Sequence, residues 1–143
     1  KYVLPGDTIF FILGDNFFEN NPAKNIKMED LAKNKGAHIF SYRVENPQEF
    51  GVAELDSENN VISIEEKPIK PKSKQAVVGI YIYDDSVMDK IKTLKPSERG
   101  EYEVTDLNNL YIQDGKCKNS TIDGWWIDAG TPDRILDLEE KLT

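Results

Sequence analysis

The sequence predicts a mixed α/β sheet with one inserted β-hairpin, built as a single domain over residues 1–143. Two observations carry this. Strand-like apolar runs alternate along the chain with segments of helical spacing. Two alternating segments, 50–55 and 61–66, flank the polar run Asp56-Ser57-Glu58-Asn59-Asn60, as the arms of a hairpin do. A third feature gives the sheet a direction. Phe10-Phe11-Ile12-Leu13 stops abruptly at Gly14-Asp15-Asn16. Four apolar residues in a row read as a strand buried on both faces. Ligands sit beyond the carboxyl ends of strands in parallel α/β sheets. An Asp there can hold Mg²⁺ beside a phosphate, since this ion prefers carboxylate oxygen. The plainer reading is a strand followed by an Asp/Asn turn.

Composition narrows the partners. Of 143 residues, 38% are hydrophobic and 31% charged, which suits a folded globular chain. A net charge of -8 argues against a general nucleic-acid binder, which needs a basic footprint. It does not exclude a nucleotide or sugar phosphate, which needs only one or two placed cations. Cys117 is the single cysteine, so no internal disulfide forms and a reducing, cytoplasmic setting is expected. No apolar run approaches membrane-spanning length, and no membrane partner is expected. The start, Lys1-Tyr2-Val3-Leu4-Pro5-Gly6-Asp7, has neither an initiator Met nor a signal pattern and reads as mid-loop. The expectation is that the chain begins inside a larger domain.

In order, Pro5-Gly6-Asp7 is a turn leading to a strand over 8–13. Residues 17–27 are polar and read as a loop over a site. Met28, Leu31 and Ala32 are at helical spacing, giving a helix over 28–34 closed by Lys35-Gly36. A strand covers 37–44, the hairpin follows, and Lys67-Pro68 ends it. Residues 76–83 form a strand, with Gly79 where a backbone or ligand can come close. Asp84-Asp85-Ser86 can cap a helix over 87–94. A helix over 105–113 stops at Asp114-Gly115, and a strand covers 116–122. Gly124-Trp125-Trp126-Ile127-Asp128-Ala129-Gly130 repeats the opening theme of an apolar run ending in an acid beside glycine. Thr131, as N-cap, and Pro132 start the last helix.

Six short motifs stand in series: Leu13-Gly14-Asp15-Asn16, Phe50-Gly51-Val52, Glu65-Glu66-Lys67-Pro68, Val78-Gly79-Ile80-Tyr81, Arg99-Gly100-Glu101-Tyr102-Glu103-Val104-Thr105-Asp106 and Trp126-Ile127-Asp128-Ala129-Gly130-Thr131. Each alone is weak. Together they resemble the sugar-nucleotide pyrophosphorylases, in particular their glucose-1-phosphate thymidylyltransferase branch, over essentially the whole chain. The resemblance implies a partial Rossmann-like mixed sheet of the nucleotidyltransferase type. It implies transfer of a nucleotidyl group from dTTP to glucose-1-phosphate, giving dTDP-glucose and pyrophosphate. It further implies that Asp15 and Asp128 bind Mg²⁺, and that Lys67 and Arg99 are catalytic phosphate contacts. Gly51, Glu66, Val78, Tyr81 and Trp126 would join Lys67 and Arg99 in binding substrate. The chemistry needs such residues, because phosphoryl transfer is mostly positioning and charge neutralisation.

Each of these residues also has a plain structural reading. Asp15 and Asp128 would be turn acids, Lys67 a solvated strand-end lysine, Glu66 an edge-strand charge. Gly51 and Gly79 would mark bulges, and Tyr81 and Trp126 would be core aromatics. His38 and Cys117 lack activating neighbours in sequence and read as structural.

The family's glycine-rich loop of the type Gly-x-Gly-Thr-Arg-Leu, which holds the triphosphate, has no counterpart here. Two function classes therefore stand open. One is the sugar-phosphate and metal part of a thymidylyltransferase, impaired when alone. The other is a non-catalytic oligomerising remnant that still binds sugar phosphate. In either case the strand leading to Asp15 would have an open edge, so pairing with another copy is expected.

Overall fold

The computed structural model describes residues 3–143 apart from 25, 28, 30–34 and 99. The helix expected over 28–34 falls on residues that lie outside this set except for Glu29, as does Arg99. In chain order the strands are β1 (Thr8–Ile12), β2 (Asn16–Phe18), β3 (Ala37–Arg43), β4 (Gly51–Leu55), β5 (Val61–Glu66), β6 (Gln75–Asp84), β7 (Cys117–Thr121) and β8 (Trp126–Asp128). The helices are α1 (Val87–Thr93), α2 (Val104–Gln113) and α3 (Pro132–Leu142), with a 3₁₀ turn at Pro47–Glu49.

β6 is the spine. Its ten residues, Gln-Ala-Val-Val-Gly-Ile-Tyr-Ile-Tyr-Asp, are rich in the β-branched and aromatic types that fit a pleated surface. The main sheet runs β5-β4-β6-β3-β7, with β1 also on β6. β1, β3 and β4 are all antiparallel to β6, and β7 is parallel to β3. The sheet is mixed, as expected, but the strand leading to Asp15 has an antiparallel neighbour. β1 and β4 share one edge of β6: β1 ends opposite Ile80, and β4 begins its pairing opposite Ala76. Between them, among the described residues, no strand pairs with the middle of β6 on that edge, and a groove opens there.

The two faces of the sheet hold separate apolar clusters, as the strand period of two requires. One gathers Ile39, Ala53, Ile64, Tyr81, Tyr83, Leu107, Tyr111 and Cys117 beneath α1 and α2. The other gathers Phe40, Ala76, Val78, Ile80, Ile82, Ile122 and Trp126. Burial of Cys117 pushes its thiol up to about 12.

The hairpin forms as expected, with Asp56 Oδ1 accepting the N–H groups of Glu58 and Asn60 at 2.8 Å each and Asn59 in the left-handed region at φ 62. α2 stops at Asp114, followed by Gly115 at φ 66. Thr131 does precede α3 in an extended conformation with Pro132 at its first turn, but its hydroxyl makes no cap bond.

Two expectations need correction. β1 is not buried on both faces: Phe10 is 45% exposed and Ile12 53%. The run is apolar, yet among the described residues only β6 flanks it. The segment after Asp15 is not simply a loop, because Asn16–Phe18 pairs antiparallel with Trp126–Asp128 in a two-stranded ribbon.

Candidate active site

The groove beside the middle of β6 has a volume of about 630 Å³. Its walls come from seven parts of the chain. The β1–β2 turn gives Leu13, Asp15 and Asn16; the start of β4 gives Phe50 and Gly51; the end of β5 gives Glu66 and Lys67. β6 gives Val77, Gly79 and Tyr81, β8 gives Trp126 and Asp128, and α2 and α3 give Thr105, Asn108 and Arg134. Of the sequence-predicted site residues, Asp15, Gly51, Glu66, Lys67, Tyr81, Trp126 and Asp128 all meet here. Val78 does not. It alternates with Val77 and Gly79, so its side chain is fully buried in the cluster on the opposite face. Arg99 lies outside the described residues.

Asp15 and Asp128 come together through the β2–β8 ribbon rather than through two converging strand ends. Asn16 is in register with Asp128, and Asp15 accepts the Ala129 N–H at 2.8 Å through its backbone carbonyl. The two carboxylates then border one point in space. A Cβ built at Gly130 would lie 3.0 Å from Asp128 Oδ1 and 3.6 Å from Asp15 Oδ2. That space is open only because position 130 is glycine. Two carboxylates on an open groove suit Mg²⁺, which takes one or two protein carboxylates and completes its shell with water and phosphate. Among the described residues no group of three or more acids, histidines or cysteines forms a cage that would hold a metal without such help.

Each carboxylate is oriented. Asp15 Oδ1 accepts Asn16 Nδ2 at 2.8 Å. Asp128 Oδ1 accepts the Gly130 N–H at 3.0 Å, and its Oδ2 accepts Arg134 Nη1 at 3.0 Å. The other arm of Arg134, Nη2, reaches Glu49 Oε2 at 2.7 Å, and the guanidinium lies 4.6 Å over the Phe50 ring.

At the opposite wall, Gly51 pairs with Glu66, and a Cβ at Gly51 would approach Glu66 Oε2 to 3.1 Å. The same oxygen accepts Thr105 Oγ1 at 2.9 Å. Lys67 follows in the left-handed region at φ 43, unusual for any residue other than glycine. Its N–H donates to Phe50 O at 2.9 Å, which ties the strained turn to the start of β4. Tyr81 is buried between them, stacked 6.0 Å from Tyr83; burial and the Glu66 charge push its hydroxyl well up, so it stays protonated.

Sequence reasoning missed Asn16 and Arg134. Asn16 Oδ1 accepts both the Gly79 N–H at 2.9 Å and Trp126 Nε1 at 2.8 Å, so one side chain joins β6 to β8. Gly79 is glycine to admit this amide, not to leave a bulge. The adjacent Asp-Asn pair was the available signal for Asn16. For Arg134 there was none, since it reads as one charge on an amphipathic helix.

Comparison with known proteins gives a consistent result. The nucleotidyl transferase family model matches residues 2–143. A glucose-1-phosphate thymidylyltransferase of Neisseria gonorrhoeae is 43% identical over 129 residues, which is 89% of this chain and 45% of that protein. One from Mycolicibacterium smegmatis is 40% identical over 136 residues, 94% of this chain and 47% of the relative. The chain thus spans about half the length of the curated relatives it matches. A solved structure from Bacillus anthracis, assigned as a glucose-1-phosphate thymidylyltransferase in complex with a sucrose, superposes with a TM-score of 0.84 at 41% identity, covering 95% of this chain and 55% of that one. Apo UDP-glucose pyrophosphorylase shares the fold, with a TM-score of 0.79 at 20% identity over 96% of this chain and 54% of its own. On the family match over residues 2–143 and this shared fold, the chain belongs to the nucleotidyl transferase family.

Proposed function

We propose that this chain supplies the sugar-phosphate and metal face of a glucose-1-phosphate thymidylyltransferase. In the reaction a phosphate oxygen of glucose-1-phosphate attacks the α-phosphorus of dTTP. The bond from that phosphorus to the bridging oxygen of the β-phosphate breaks, and pyrophosphate leaves with the electron pair. The observation that carries this reading is the meeting of Asp15, Asp128, Glu66 and Lys67 on one groove. The names of relatives about 40% identical support the thymidylyl branch.

The roles follow from chemistry. Asp15 and Asp128 would hold Mg²⁺, which neutralises charge on the transferring phosphates. Lys67, fixed at a strand end, neutralises the sugar phosphate without moving the scaffold. Arg99 is a second phosphate contact. Glu66 accepts hydrogen bonds from sugar hydroxyls through its oxygens, a pairing suited to vicinal diols. Gly51 leaves room beside Glu66, and Tyr81 and Trp126 wall the sugar. The solvent-exposed residues of β1 favour a chain that associates with another copy. The lone buried thiol suits a cytoplasmic setting; among the described residues no helix is long and apolar enough to cross a membrane.

A second reading, a non-catalytic module that oligomerises and still binds sugar phosphate, draws on the same exposed strand. Titration calorimetry with glucose-1-phosphate, with and without dTTP, separates the two. Pyrophosphate release above that of Asp15→Asn supports the enzyme. Sugar-phosphate binding with no release, alone or on mixing with an N-terminal nucleotidyltransferase segment, supports the module. No binding of either ligand overturns both.

A further inference from the structure

We infer that Arg134 is a specificity-determining residue for the cation at Asp15 and Asp128: by occupying one oxygen of Asp128 it leaves that carboxylate a single oxygen to offer, and so favours Mg²⁺ over Ca²⁺. This rests on the magnesium reading above.

Arg134 is fixed from three directions. α3 carries its backbone, Glu49 on the 3₁₀ turn holds Nη2 at 2.7 Å, and Phe50 lies under the guanidinium at 4.6 Å. Its side chain is 23% exposed, so the fork cannot swing freely into solvent. From that anchorage Nη1 takes Asp128 Oδ2 at 3.0 Å. The other oxygen, Oδ1, accepts the uncharged Gly130 N–H at 3.0 Å and borders the shared point beside Asp15; a backbone amide leaves such an oxygen able to ligate, whereas the guanidinium sets a positive charge against any ion that would also reach Oδ2.

The two ions ask for different things from a carboxylate. Ca²⁺ takes six to eight oxygens at about 2.3–2.6 Å and readily accepts both oxygens of one carboxylate. Mg²⁺ takes six at about 2.0–2.1 Å and keeps several waters, so single oxygens from two acids suffice. A carboxylate with one oxygen engaged by an anchored guanidinium serves the second ion and denies the first a ligand. The positive charge of Arg134 opposes both divalent ions alike, because both carry the same charge. The ratio of the two affinities therefore reports the occupied oxygen, not the electrostatics.

The test is displacement of Mn²⁺ followed by electron paramagnetic resonance, with Mg²⁺ and Ca²⁺ as competitors. In the parent chain Mg²⁺ should displace Mn²⁺ at a concentration no higher than Ca²⁺ requires. Arg134→Met keeps an apolar stem on Phe50 and frees Oδ2; the ratio should move several-fold toward Ca²⁺. Glu49→Gln loosens the far arm without freeing Oδ2 and should leave the ratio as in the parent. Equal changes for both ions in Arg134→Met would overturn the inference. So would a parent chain that prefers Ca²⁺, a result that needs no variant to fold. An Asp15→Asn chain that binds Mn²⁺ as the parent does would remove the magnesium reading itself, and this inference with it.

Discussion

The side-chain amide of Asn16 occupies the space that a side chain at position 79 would fill. A Cβ at Gly79 would come within 2.6 Å of Asn16 Nδ2 and 2.9 Å of Leu13 Cβ. Gly79→Ala must therefore push Asn16 away from both the Gly79 N–H and the Trp126 indole. The expected cost is about 2 kcal/mol, within the usual range for overpacking plus lost buried hydrogen bonds. Urea denaturation of the variant against the parent measures it. Equal midpoints would mean that Asn16 is not the joint between β6 and β8.

The open edge of β1 sets the behaviour of the isolated chain. Phe10, Phe11 and Ile12 are exposed on a strand that carries no Lys or Pro, the residues that normally blunt an edge. Sedimentation velocity at micromolar concentration should show association. Ile12→Lys should shift the population to monomer at the same concentration. A parent chain that stays monomeric refutes the prediction.

His38 gives stability a pH dependence in mildly acid solution. Burial, then the neighbouring Lys118 charge, lowers its pKa below 6.5. The unfolded chain therefore takes up the proton first. The stabilising contribution of neutral His38 is complete above pH 6.5 and is lost as pH falls through the depressed value. The exposed carboxylates with lowered values, such as Glu45 and Glu54, act only below their ordinary 4.5. Urea midpoints should thus fall between pH 6.5 and 4.5, and His38→Gln should flatten that interval.

Lys67 separates binding from stability. It adopts φ 43, where a side chain costs about 1 kcal/mol that glycine avoids. Lys67→Gly should leave the unfolding free energy unchanged or raise it by up to about 1 kcal/mol in urea denaturation. The same variant should weaken glucose-1-phosphate binding by tenfold or more in calorimetry, through loss of a charge-assisted contact. A variant that loses stability while it keeps ligand would reverse the argument.

The hairpin, α2 and α3 were legible because their periods are unambiguous over six or more residues. Asp15 and Asp128 were legible as a pair, since both follow apolar runs beside glycine. What joins them was not: three-residue strands such as β2 and β8 are too short to show a period. Val78 was misplaced because a motif names neighbours without saying which face each one takes. The exposure of β1 could not be read either, since Phe-Phe-Ile-Leu looks the same whether covered or bare. Arg134 was invisible because its partners, Glu49 and Asp128, are distant in sequence, and only the folded chain brings the three together.

The order of pairing along β6 has a consequence during synthesis. β1 and the antiparallel edge of β3 both depend on a strand that ends at Asp84. Among the described residues Thr8–Ile12 pairs only with Ile80–Asp84, which is made some seventy residues later. The β4–β5 hairpin, by contrast, closes from contacts within 51–66. Phe10, Phe11 and Ile12 thus stay without β6 while residues 13–79 are made, a window in which an apolar strand can pair wrongly.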